Sequence, residues 1–237
     1  MKRTLPLLTG IVGVAGLSFL SACGGGGGSS LPAECKKNSP LQISSPGLPA
    51  LDGEFTPTDT VIFPGKIVPG AEIFEKTPEE LEALESEAIG TAFRVIVADF
   101  PIKENQIMGG FNSGVISPET GGTNLYFSVY PIRPGEMQVG DVIGATESSP
   151  YLADVSSSVG ANLSMYVDTT LDENYFLGGA TDQYAGGVTV LAFDEKNLCL
   201  SVDYTIPELS SDSGALFTVK GVISGSIEKY VSGDIAG

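Results

Sequence analysis

From residue 91 onward, apolar residues recur at every second position, and that spacing constrains the fold more than any other feature of the chain. Only an extended strand puts alternate side chains on one face; a helix would scatter them around its circumference. Phe93, Val95 and Val97 alternate within 91–100, Leu125, Phe127 and Val129 within 123–132, and Leu163, Met165 and Val167 within 159–169. Leu198, Leu200, Val202, Tyr204 and Ile206 form a longer series, which leaves Cys199, Ser201, Asp203 and Thr205 on the opposite face. The last series places Phe217, Val219, Ile223 and Ile227 inward, with Gly221 and Gly225 among them, where a bend or bulge is expected. Residues 187–193 are apolar on both faces and predict a central strand. Turns rich in Gly, Pro and Asx residues separate these runs.

One segment follows a helical pattern. Thr77 suits an N-cap, Pro78 the first helical position, and Glu80 completes a capping box. Over 78–88, Leu81, Leu84 and Ala88 share one face, Glu79, Glu82 and Glu85 the other, and Gly90 ends the element. Before it, 61–63 and 66–68 are short apolar runs, each closed by Pro-Gly. The Pro-, Ser- and Gly-rich stretch 31–59 reads as an extended arm whose clearest strand fragment is Leu41-Gln42-Ile43. Many strands with a single helix predict a mainly β fold over 60–237: an antiparallel β-sandwich or barrel-like domain with one short helix.

The first thirty residues predict an address. Lys2 and Arg3 form a positive n-region, and residues 5–20 an apolar core interrupted by Gly10, Gly13 and Gly16, too short and glycine-rich for a permanent span. It closes on Leu20-Ser21-Ala22-Cys23, which resembles the lipobox of bacterial lipoproteins. The resemblance implies cleavage after residue 22 and diacylglycerol on Cys23. Gly24 in place of an aspartate resembles the family's pattern for outer-membrane sorting. Since each buried methylene contributes about 0.8 kcal/mol, two or more acyl chains anchor a protein durably. Residues 24–30 form a flexible Gly/Ser tether. The membrane lipid is thus one expected partner, with the body facing the periplasm or the cell surface.

The chain carries 12 basic and 29 acidic residues, a net charge of −17, and loss of Lys2 and Arg3 with the signal leaves it two units more negative. Such a charge, without basic runs, excludes nucleic acid as a partner. Once Cys23 is acylated, Cys35 and Cys199 remain in an oxidising compartment and are expected to pair. The loop of about 165 residues would contribute roughly 5 kcal/mol in the chain-entropy model. With Cys199 on the polar side of its strand, the bond would staple the arm to the outside of the domain.

Chemistry is sparse. The sequence has no histidine, which excludes Ser-His and Cys-His catalysis and the usual zinc or haem ligation. Ser226-Ile227-Glu228-Lys229 matches a Ser-x-x-Lys pattern, but in a strand residues three apart point to opposite faces. The run Gly109 to Gly114 reads as a loop, not a phosphate cradle. Asp168, Asp172, Glu173 and Asp182 cluster as oxygen ligands of the kind calcium takes, without the spacing of a calcium loop; no other cofactor is expected. Tyr126 and Tyr130 share a face with Ser128 between them, a stacking surface for a glycan or peptide unless Leu81 and Leu84 of the helix cover it as a second core. These features point to a noncatalytic binding or structural module in the envelope, with a protein or glycan ligand. The alternative is a carboxylate-dependent hydrolase of a surface polysaccharide, which needs two carboxylates across one cleft.

Overall fold

The computed structural model describes residues 31–47, 49, 52–68, 76–103, 123–129, 135–144, 161–166, 185–207 and 215–236, all within one compact unit that starts at Leu31. The fold is mainly β, with one short α-helix among the described residues. In chain order the strands are β1 (Leu41–Ser44), β2 (Gly53–Phe55), β3 (Asp59–Ile67), β4 (Gly90–Ala98), β5 (Asn124–Val129), β6 (Val142–Gly144), β7 (Ala161–Tyr166), β8 (Ala185–Phe193), β9 (Asn197–Pro207), β10 (Leu216–Ile227) and β11 (Ile235–Ala236). Helix α1 (Pro78–Leu84) lies between β3 and β4 and runs on into a 3-10 turn at Glu85–Glu87.

The strands form a mixed sheet in the order β6-β8-β9-β10-β3-β4-β5-β7, with β1 and β2 branching from β10 and β11 pairing with β3. Most pairings are antiparallel, as the alternation leads one to expect, but β10 and β11 both run parallel to β3. The sheet rolls without closing into a barrel. The roll is evident from Phe93 on β4 and Phe193 on β8, whose ring centroids are 5.4 Å apart. Four strand steps separate them along the sheet, roughly 19 Å if it were flat at about 4.8 Å per strand. Residues from both wings therefore meet in one main core: Leu41 and Ile43 of β1, Val95 and Val97 of β4, Leu125 of β5, Val188 of β8, and Tyr204 and Phe217 of β9 and β10 are all buried in it.

β10 carries the roll. It pairs with β9 from Leu216↔Pro207 to Ser226↔Asn197 without a register shift. Its other edge is divided, Thr218–Lys220 facing β1 and Ser226–Ile227 facing β3. Gly221 lies between the two with φ +149°, and a Cβ there would meet Leu41 Cδ2 at 2.7 Å. At Gly225 a Cβ would stand 2.8 Å from Thr60 Cγ2. The two glycines thus permit close approach of neighbouring strands, and the β9 ladder passes them without a bulge.

Several expectations change in detail. The runs 61–63 and 66–68 are one strand, β3, continuing through Pro64 and Gly65. Residues 187–193 belong to β8, next to the edge strand β6, and not to the centre of the sheet. The arm is stitched in by β1 and β2, which pair with each other and place Leu41, Ile43 and Phe55 in the main core. The Cys35–Cys199 disulfide is present, with Cα atoms 5.8 Å apart, and its Cys199 end lies on the face of β9 opposite Leu198, Leu200, Val202 and Tyr204.

Helix α1 has the expected capping box: Glu80 N donates to Thr77 Oγ1 and Thr77 N to a Glu80 carboxylate oxygen. Accepting these bonds holds the Glu80 carboxyl below the usual glutamate range, Thr77's backbone N–H being the main cause. A small second cluster does exist on the other face of the sheet, from Val61, Phe63, Ile67, Ala92 and Ile96. Its cover comes from Ile89, Phe100 and Ile102 and not from Leu81 and Leu84, which stay half-buried.

Candidate functional site

At the end of the main core where β3 meets β4, the two wings leave a cleft of about 450 Å³. Strand parity builds its floor. Ile62 points into the main core, so Pro64 and Lys66, two and four residues on, share that face. Directly opposite on β4, Pro64 faces Phe93 and Lys66 faces Thr91. A lysine on the inner face of a core strand is costly unless the strand end is open, and here the open end is the cleft.

A break in pairing holds the cleft open. Ile62 O accepts from Glu228 N where β10 ends, and Lys66 N donates to Asp234 O where β11 begins. Between these bonds residues 228–234 leave the edge of β3. By the same period of two, the position between Ile62 and Lys66 that would direct an N–H into the gap is Pro64, which has none to satisfy. Tyr230, carried on this excursion, enters the cleft, and Lys66 Nζ stands 5.6 Å from its ring centroid.

The far wall depends on a bulge. Val188 and Val190 point inward opposite Val202 and Leu200, but the register slips at Leu191, so that Ala192 faces Cys199 and Phe193 faces Leu198. Without the extra residue Phe193 would point outward; with it, the ring turns in and meets Phe93 edge-on at 69°. The same bulge explains why 187–193 looks apolar on both faces. Next to it Asp194 closes the β8–β9 turn, accepting from Lys196 N, Asn197 N and Asn197 Nδ2. Those bonds, led by the Lys196 N–H, hold its carboxyl below the usual range.

The polar end is a chain of contacts. Lys66 Nζ donates to Thr91 Oγ1 at 3.3 Å, and Thr91 in turn donates to Glu136 Oε1 at 3.2 Å. Glu85, from the turn after α1, accepts from Ser232 Oγ and Gly233 N and so ties the helix to the 228–234 excursion. Its carboxyl is held low, first by the Gly233 N–H. The Tyr230 hydroxyl is buried close to Glu85 but outside good hydrogen-bonding geometry, and burial, then that carboxylate, push its pKa well above the ordinary phenol value. Tyr230 is therefore a neutral phenol at any physiological pH.

None of the described residues that line this cleft was singled out from sequence as ligand-binding. Tyr126 takes a place in β5 opposite Ile96 and Ser164, and its side chain lies outside the described residues, as does Tyr130. Asp168, Asp172, Glu173, Asp182 and Cys23 also lie outside them. Among the described residues no group of three His, Cys, Asp or Glu side chains could hold a metal ion, and no helix is long and apolar enough to cross a membrane. The cleft was missed because its parts are far apart in sequence and locally ordinary. Lys66 reads as the edge of an apolar run, and Phe193 reads in phase only once the bulge is known. No family model, curated protein or solved structure matches this chain.

Proposed function

We propose that this chain is an exported lipoprotein, acylated at Cys23 and held at the outer membrane by the 24–30 tether, whose β body is a noncatalytic module binding a ligand in the cleft beside Lys66. The observation that carries the binding reading is the cleft's make-up: an aromatic and aliphatic floor of Pro64, Phe93, Phe193 and Ile227 on which Lys66, Thr91 and Tyr230 converge, with charged side chains completing the lining. The disulfide supports export, because such bonds persist in oxidising compartments. The rim carboxylates Asp194, Glu195 and Glu228 keep a carboxylate-dependent hydrolase as the second reading. Against it, Asp194 is committed to its turn, and a lowered pKa is the reverse of what a glycosidase's general acid requires.

The anchor is tested by Cys23→Ala with metabolic labelling by a fatty-acid analogue. We expect labelling to vanish and the protein to accumulate as uncleaved precursor or leave the membrane fraction. Labelling that persists in the variant would refute the lipoprotein reading.

A further inference from the structure

We propose that the cleft recognises a small organic carboxylate with an apolar, ring-sized body, the carboxylate against Lys66 and the body against Phe93, Phe193 and Ile227. The inference rests on the binding reading above and specifies the ligand class. A lysine ammonium has three donors. One is given to Thr91 Oγ1, and a second direction is taken by the face of Tyr230. Among the described residues no carboxylate forms an ion pair with Nζ, whereas Lys220 on the open sheet surface is paired with Asp203 at 3.1 Å. Lys66 thus retains a donor directed at the cleft: the carboxylate that acts on it electrostatically, Glu85, is itself bonded to Ser232 and Gly233, and Asp194, Glu195 and Glu228 line the cleft without pairing with Nζ.

Other ligand classes fit less well. A sugar needs a flat aromatic platform and many hydrogen-bond partners; the Phe93 and Phe193 rings stand edge to face and offer neither. An organic cation would have to displace the ammonium already over Tyr230. Inorganic anions leave the floor unused. A volume of about 450 Å³ lies at the small end of ligand sites, which suits one ring with a short chain. In a chain of net charge −17, preference for an anion over its neutral analogue must come from a local cation, Lys66 or the Lys229 that also lines the cleft, and Lys66→Gln separates the two.

The test uses the full acylated chain in phosphatidylcholine nanodiscs, titrated calorimetrically with 4-phenylbutyrate, 4-phenylbutanamide and 4-phenylbutylamine against empty nanodiscs. We expect the carboxylate to bind about tenfold or more tighter than the amide, the difference of a charged against a neutral hydrogen bond, and the amine weakest. Lys66→Gln should remove that preference, leaving the two within about threefold, while Phe193→Ala should weaken both about tenfold. Equal or tighter binding of the amide or amine by the wild-type chain overturns the carboxylate assignment, whatever the folding of the variants. If that binding still falls in Phe193→Ala, the cleft remains a binding site for another class. No saturable binding of any probe overturns the carboxylate inference; the anchoring part of the proposal is then judged by acyl labelling alone.

Discussion

Replacing both Cys35 and Cys199 by alanine probes how the N-terminal segment is held, and its cost can be worked from the structure. The bond closes a loop of 164 residues. In the chain-entropy model that loop removes roughly 17 cal/mol/K from the denatured ensemble, about 5 kcal/mol at 25 °C, and measured values commonly fall to about 2–4 kcal/mol. For a domain of this size each kcal/mol shifts Tm by about 2–4 °C, so a fall of roughly 5–15 °C is expected. The damage should be local in the native state. Leu41 and Ile43 are buried and β1 keeps its ladder to β10, so the hairpin β1–β2 has its own anchors, and the freed segment is the one before Leu41. Thermal melting by circular dichroism gives the Tm, and limited proteolysis with mass spectrometry gives the first cut. Early cleavage within 31–40 with a lowered Tm is the expected result. An unchanged Tm would show that the bond does not restrict the denatured chain, and first cleavage within 41–55 would show that the hairpin depends on the staple.

Gly221→Ala should destabilise by about 1–3 kcal/mol through its positive φ, with a further loss from contact with Leu41, and urea denaturation should show it; a change below about 0.5 kcal/mol would mean that β10 can relax away from β1. Glu85 gives a pH dependence: its folded pKa is lowered, so its contribution is complete above the ordinary glutamate value of about 4.3 and is lost as pH falls from there through the lower folded value. Glu85→Gln should therefore lower Tm more at pH 7 than at pH 3, and an equal deficit at both would assign the loss to packing instead of charge.

The parts of the fold legible from sequence are those set by neighbours in the chain. The capping box at Thr77 and Glu80 involves residues three apart, and the inward series Leu198 to Tyr204 needs only the pleat of a strand. The disulfide followed from the expectation of export and a count of the cysteines left once Cys23 is set aside, and the geometry places Cys199 on the face of β9 that alternation assigns to it. Pro64 shows where local rules stop. A Pro-Gly pair between apolar runs reads as a turn, yet the strand continues because the missing N–H faces a gap that arises only when residues 228–234 leave the β3 edge.

By itself, then, the sequence determined the strand-rich class, the faces of most strands, the single capped helix and the pairing partner of Cys199. These rest on interactions of period two or of a few residues, and on a count of thiols. Tertiary structure alone decided the parallel seam at β3, the roll that brings Phe93 to Phe193, the bulge that turns Phe193 inward, and the cleft around Lys66. The seam, the roll and the cleft depend on contacts between segments distant in the sequence. The bulge, although it lies between the neighbouring strands β8 and β9, is recognised only because it turns Phe193 toward Phe93; none of these leaves a periodic trace in any one segment.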